Sequence, residues 1–170
     1  PEWLNDTQYY HNQGESTWAG ENSLYGDFVG LDDIDTDNPV VVENFIDVFK
    51  DIVKDFRPDG FRVDTVKHVN TEFWQVFTPA LLEYARAEDT DGLGTDGAGI
   101  ENFTLFGEVY SADANVLSSY TTEATLPSVL DFGFQSVITD VIRNDGYVDD
   151  NQTHPFTTLF NSDYKFADAD

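Results

Sequence analysis

The sequence predicts an α/β fold built on a parallel sheet, from three observations. Beginning at Asn38, segments with helical spacing of apolar residues alternate with short apolar runs. Those runs are continuously apolar instead of alternating, as expected of strands covered by helices on both faces. Turn residues punctuate them, as in "RPDG" and at Gly146. An order of helix, strand, helix, strand, helix, strand, helix is the pattern of right-handed parallel crossovers.

Residues 1–37 lack this rhythm. They are rich in Gly, Asn, Asp and aromatic residues and are expected to form a loop-rich excursion. "NPVVVENFIDVFKDIVKDF" opens with a capping Asn38 and with Pro39 at the first helical position, and places apolar residues at 41, 45, 48, 49, 52 and 56, which predicts a helix. Pro58 and Gly60 then force a turn, and "GFRVD" reads as a strand. A second helix is expected from about Thr71 to Ala87, kinked at Pro79. "EDTDGLGTDGAGIEN" is a Gly/Asp loop, "FTLFGEVY" a buried strand and "SADANVLSSY" a short helix. "SVLDFGF" reads as another buried strand, and "FQSVITDVIRNDG" as a helix closed by Gly146.

A chain of 170 residues with 40% hydrophobic and 15% aromatic content can bury a substantial core. No apolar run is long enough to span a bilayer. Cysteine is absent, which excludes disulfides and thiolate metal sites. The chain opens on Pro1 and contains no Met, so a cut N-terminus is expected. The net charge of −25 disfavours nucleic acid and anionic membranes as partners and favours a neutral substrate or a cation. It also suits high ionic strength, where screening relieves self-repulsion, so a salt-adapted surface is expected. Oligomeric state is not legible.

Eight Lys plus Arg stand against 33 Asp plus Glu, yet Arg62, Lys67 and His68 crowd around Asp64 in "DGFRVDTVKH". Asp64 closes one predicted strand and Glu108 another, and in parallel α/β folds active sites collect beyond the C-terminal strand ends. Adjacent parallel strands lie about 4.8 Å apart, so two such acids can face each other. Retaining glycoside hydrolysis uses a carboxylate nucleophile about 5 to 5.5 Å from a protonated acid. Asp64 suits the nucleophile, because Arg62 lies two residues earlier on the same strand face and favours the ionised form. Glu108 suits the acid, because Phe106 and other apolar neighbours desolvate it. Spacing alone leaves a structural Asp64–Arg62 ion pair and a solvated Glu108 equally open.

"GFRVDTVKH" followed by "FGEVY" resembles the second and third signature segments of the α-amylase family, glycoside hydrolase family 13, which is a group of calcium-containing (β/α)8 barrel enzymes. "GLDDIDTDNPVV" is similar to the segment that closes that family's protruding B domain, and "SVLDFGFQSVI" to its next strand and helix. The resemblance implies a partial (β/α)8 TIM barrel of about three β/α units over residues 38–170, preceded by the end of a B-domain-like loop region over 1–37. It implies hydrolysis of internal α-1,4-glucosidic bonds in starch-like glucans, with Asp64 as nucleophile, Glu108 as general acid/base and Arg62 as support of the nucleophile. Lys67 and His68 would line the leaving-group side of the cleft. Asp33 and the backbone carbonyl of His68 would bind calcium. A secreted, extracellular location follows from the same resemblance.

Several readings compete with these. Lys67 and His68 could be solvated residues opening a helix, and "DDIDTD" merely an acidic loop. An EF-hand through Asp33, Asp35 and Asp37 fails, because Asn38 replaces the turn glycine and Asn44 stands where a Glu is needed. Asn5, Asn102 and Asn151 open glycosylation triplets that matter only in a eukaryotic secretory setting. Tyr110 is the aromatic singled out for sugar stacking, and those of "YYHNQ", "STWAG" and "SLYGDF" are further candidates, although aromatics this frequent more often belong to a core. His11 and His154 are expected at the surface. The family's first signature and its "NHD"-type fourth, which carries a third catalytic carboxylate, are absent, so an internal piece of such an enzyme is expected, with poor independent stability and no normal turnover by these 170 residues alone. Cyclodextrin-forming transglycosylases of the same family are the nearest alternative; these usually carry an aromatic residue four positions before the calcium-binding Asp, where this chain has Val29. A non-catalytic glucan- or calcium-binding module would be expected to lose Asp64 or Glu108, and both are present.

Overall fold

The computed structural model describes residues 1–87, 99–143 and 155–166. Gly146, His154, Asn151 and most of the Gly/Asp loop lie outside the described residues. The chain divides into two compact units, one of residues Pro1–Phe61 and Lys67–Thr104, the other of Arg62–Val66 and Leu105–Asp170. A three-stranded sheet, ordered β1-β2-β3, is formed by β1 (Gly60–Val63), β2 (Thr104–Gly107) and β3 (Ser128–Val129).

In the first unit, the N-terminal region holds two 3-10 turns, Glu2–Asn5 and Thr7–Tyr9, and a single-turn helix α1 (Asn22–Tyr25). It is otherwise loop, tied by an antiparallel bridge between Tyr10 and Ile34. Helix α2 (Pro39–Phe56) begins where the sequence predicts: the Asn38 side chain accepts from the Val40 N–H at 3.0 Å. It ends as Arg57 turns into the left-handed region, at φ 45°, while its N–H still bonds the Val53 carbonyl. Helix α3 (Thr71–Arg86) continues unbroken through Pro79.

These two helices pack through aromatic rings. Phe45 meets Phe73, and Phe49 meets both Phe77 and Phe61 in edge-to-face contacts of 5.2–6.2 Å, the arrangement that ring quadrupoles favour. Phe103 is fully buried against Phe61, and the Arg86 guanidinium donates twice to the Phe103 carbonyl, at 3.0 and 2.8 Å.

In the second unit, β2 and β3 pair in parallel with Phe106 opposite Ser128 and Gly107 opposite Val129. Helix α4 (Ala114–Thr122) is capped by Asp113, whose side chain accepts from Asn115 N–H at 2.8 Å. Helices α5 (Phe132–Arg143) and α6 (Pro155–Phe160) follow. Val66, Leu105, Val109, Leu117 and Leu126 are buried as the core of this unit. The strand expected over "SVLDFGF" is shorter than its apolar run suggests. The Asp131 carboxylate accepts from the Phe134 N–H at 2.7 Å and starts α5 at Phe132. Among the described residues no helix is long and apolar enough to cross a membrane.

Candidate active site

Asp64 follows β1 and Glu108 follows β2, and the two strands are neighbours. The backbone locks the two acids in register. Glu108 N–H donates to the Val63 carbonyl at 2.7 Å, and the Glu108 carbonyl accepts from Val66 N–H at 3.2 Å, so that Glu108 spans the Asp64–Thr65 step. Between these bonds Thr65 adopts φ 51°, a region that β-branched residues rarely enter. That conformation aims the Thr65 N–H at the Glu108 carboxylate. Backbone strain of this kind, worth about 1–3 kcal/mol, gathers at sites where geometry matters more than stability.

The side chains complete the arrangement. Arg62 Nη2 lies 3.2 Å from Glu108 Oε1. The sequence reading paired Arg62 with Asp64 through their shared strand face; the ion pair in the structure reaches the neighbouring strand instead. Glu108 titrates above the ordinary carboxylate range. Its hydrogen bond with Asp64 is the main cause and burial the second, while the Arg62 cation and the Thr65 N–H pull the other way. The sequence reading gave desolvation the leading part. Glu108 and Asp64 thus lie within hydrogen-bonding reach of each other, an arrangement that can share one proton between two acids, as acid-plus-nucleophile chemistry uses. Gly107, immediately before Glu108, is enclosed: a Cβ there would lie 2.9 Å from Val66 Cγ2 and 3.1 Å from Leu126 Cδ1. Tyr110 is 72% exposed, with its ring edge-on to Phe132 at 5.1 Å.

In the first unit, Lys67 and His68 close a 3-10 turn, Val66–His68. His68 Nδ1 lies 2.9 Å from the Ser23 carbonyl and donates to it. The imidazole sits edge-to-face with Trp18 at 5.7 Å and with Phe28 at 5.6 Å. Both rings are exposed, and they contact each other at 4.7 Å. The sequence reading named their segments as candidate platforms but had no means to place them beside His68.

Asp33 is half-buried, and burial is the main cause that raises its carboxyl above the usual range. Its Oδ2 lies 2.5 Å from His11 Nδ1, and its N–H donates to Asp27 Oδ1 at 3.0 Å. A hard, desolvated oxygen donor of this kind fits calcium as one ligand. His11 corrects an expectation: it is no surface residue, its side chain being only 10% exposed. The Tyr10–Ile34 bridge turns it inward, and the Tyr25 ring covers it at 4.7 Å. Its donor atoms cluster with those of Asp35 and Asp37, all within 4.8 Å of one another.

Comparison with known proteins follows the same line. Residues 3–167 match the family model described as alpha amylase, catalytic domain. The chain is 43% identical over 167 residues to an alpha-amylase of Streptomyces lividans, covering 98% of this chain and 16% of that protein. It is 26% identical over 141 residues to a cyclomaltodextrin glucanotransferase of Klebsiella oxytoca, covering 79% of this chain and 20% of the relative. The crystal structure of an Anoxybacillus alpha-amylase superposes with a TM-score of 0.73 at 25% identity, covering 96% of this chain and 33% of that one. The chain thus spans a fifth or less of the length of these two curated relatives.

Proposed function

The chain belongs to the α-amylase catalytic-domain family, its three described strands and following helices forming a partial (β/α)8 barrel, and on that premise we propose that it carries the nucleophile and acid/base of an enzyme that hydrolyses internal α-1,4-glucosidic bonds of starch-like glucans with retention of configuration. The observation that carries the reading is the hydrogen-bonded Asp64–Glu108 pair with Arg62 alongside.

A glucan entering between the two acids replaces their hydrogen bond and holds them about 5 Å apart. Glu108 gives its proton to the glycosidic oxygen as the C1–O bond breaks, and Asp64 attacks C1 to form a glycosyl ester. Glu108, now a carboxylate, lies beside the Arg62 cation, which stabilises the charge it has just acquired. Glu108 then takes a proton from water. The resulting oxygen attacks C1, expels Asp64 and restores both acids, and two inversions give net retention.

Lys67 and His68 would hold the departing glucan, and Tyr110 would stack on a sugar ring. The exposed Trp18 and Phe28 rings beside His68 support the same role in the first unit. The Asp33 carboxylate and the His68 carbonyl would bind calcium, which when bound would stiffen the loop-rich region of residues 1–37, the end of a B-domain-like segment. An extracellular site of action fits a polymeric, neutral substrate.

A second reading, cyclodextrin formation, draws on the Klebsiella oxytoca relative. Val29 argues against it: this residue is 73% exposed and offers no ring around which a glucan could wind. Chromatography of the products released from starch distinguishes the two. Linear maltooligosaccharides are expected; cyclic products would overturn the hydrolase reading, and oligosaccharide binding without any product would point to a non-catalytic module.

A further inference from the structure

We propose that His11, Asp35 and Asp37 form a second cation site, suited to a borderline transition ion such as Zn2+ and adjoining the calcium position at Asp33 and His68 through the Asp33–His11 hydrogen bond. The backbone builds the site. His11 N–H donates to the Asp33 carbonyl at 3.0 Å, and Asp35 N–H to the Tyr9 carbonyl at 2.9 Å, so the segment around His11 is held opposite the acidic run.

The imidazole is set up as a ligand. Asp33 accepts from Nδ1 and thereby places the proton there, which leaves the lone pair on Nε2, the carboxylate–histidine arrangement typical of metal sites. Nε2 is buried and has no hydrogen-bond partner, although it lies 3.2 Å from Asp35 Oδ1. The two atoms are close without being aligned as donor and acceptor. A buried, unsatisfied nitrogen is costly, and a cation bound to both atoms removes that cost.

The remaining geometry fits a small ion. Ligands at about 2.0–2.2 Å around a tetrahedral ion lie roughly 3.4 Å from one another. The Nε2–Oδ1 separation of 3.2 Å is near that value, and all the donor atoms lie within 4.8 Å of one another, so a modest inward movement of the exposed Asp37 would complete the set. Tyr25 steers that carboxylate by donating its phenol hydrogen to Asp37, and its ring lies against His11. One imidazole with two carboxylates suits Zn2+ better than calcium, which takes six to eight oxygens. Water would fill the fourth position. The ion would pin the segment around His11 to the segment 33–38.

The test is calorimetric titration of the chelator-treated chain with Zn2+ while excess Ca2+ fills hard oxygen sites. One Zn2+ per chain is expected, with a rise in melting temperature. Asp37→Asn, an isosteric change at an exposed position, should weaken binding more than about tenfold, and Tyr25→Phe by about tenfold. His11→Ala should abolish binding. Absence of zinc uptake in the presence of Ca2+, or uptake unchanged by Asp37→Asn, would overturn the proposal and reduce the cluster to an imidazolium held between acids.

Discussion

Arg62 reaches across from its own strand to place Nη2 3.2 Å from Glu108 Oε1. Its cation holds down the pKa of a carboxyl that Asp64 and burial raise. Arg62→Met therefore raises the Glu108 pKa further. A general acid works while protonated, so the alkaline limb of the rate profile moves to higher pH, while the maximal rate falls because ionised Glu108 loses its partner. Measurement of kcat/KM against pH checks this; an alkaline limb moved to lower pH would contradict the assignment.

Glu108→Gln keeps the shape of the side chain and removes the transferable proton. Hydrolysis of starch should fall by about 10²- to 10⁴-fold. A dinitrophenyl maltooligosaccharide, whose leaving group needs no proton, should show much less loss in glycosyl-enzyme formation. Equal losses on both substrates would mean that Glu108 does not act as the acid.

Gly107→Ala drives a Cβ into Val66 and Leu126, both buried and unable to retreat. Overpacking of this kind costs about 1–3 kcal/mol. A lower urea midpoint with unchanged slope is expected, together with reduced activity, since the next residue is Glu108.

The elements easiest to read from sequence were those specified by neighbours in the chain. Asn38 and Pro39 announce α2, and the start they predict is the start observed. The register of the Asp64–Glu108 pair was less legible. Spacing of two along a strand pointed Arg62 at Asp64, whereas its partner Glu108, just beyond β2, is brought close only by strand pairing. Likewise nothing near His11 in sequence signals burial, because the Tyr10–Ile34 bridge that turns it inward joins distant residues. The end of β3 was misread because an apolar run cannot reveal that Asp131 will cap a helix inside it.

A net charge of −25 opposes folding through self-repulsion, which salt screens over about 10 Å or less. The melting temperature should rise from low to multimolar NaCl. A fall or no change would count against a salt-adapted surface.

The central claim, that Asp64 forms a covalent glycosyl ester with Glu108 as its acid/base, is tested most directly by trapping. A fluorinated α-glucosyl fluoride that forms the ester quickly and releases it slowly should label the protein once. Peptide mass spectrometry should then place the sugar on Asp64, with none on the Asp64→Asn variant. A label on Glu108, or turnover to the inverted anomer without any covalent adduct, would contradict the account.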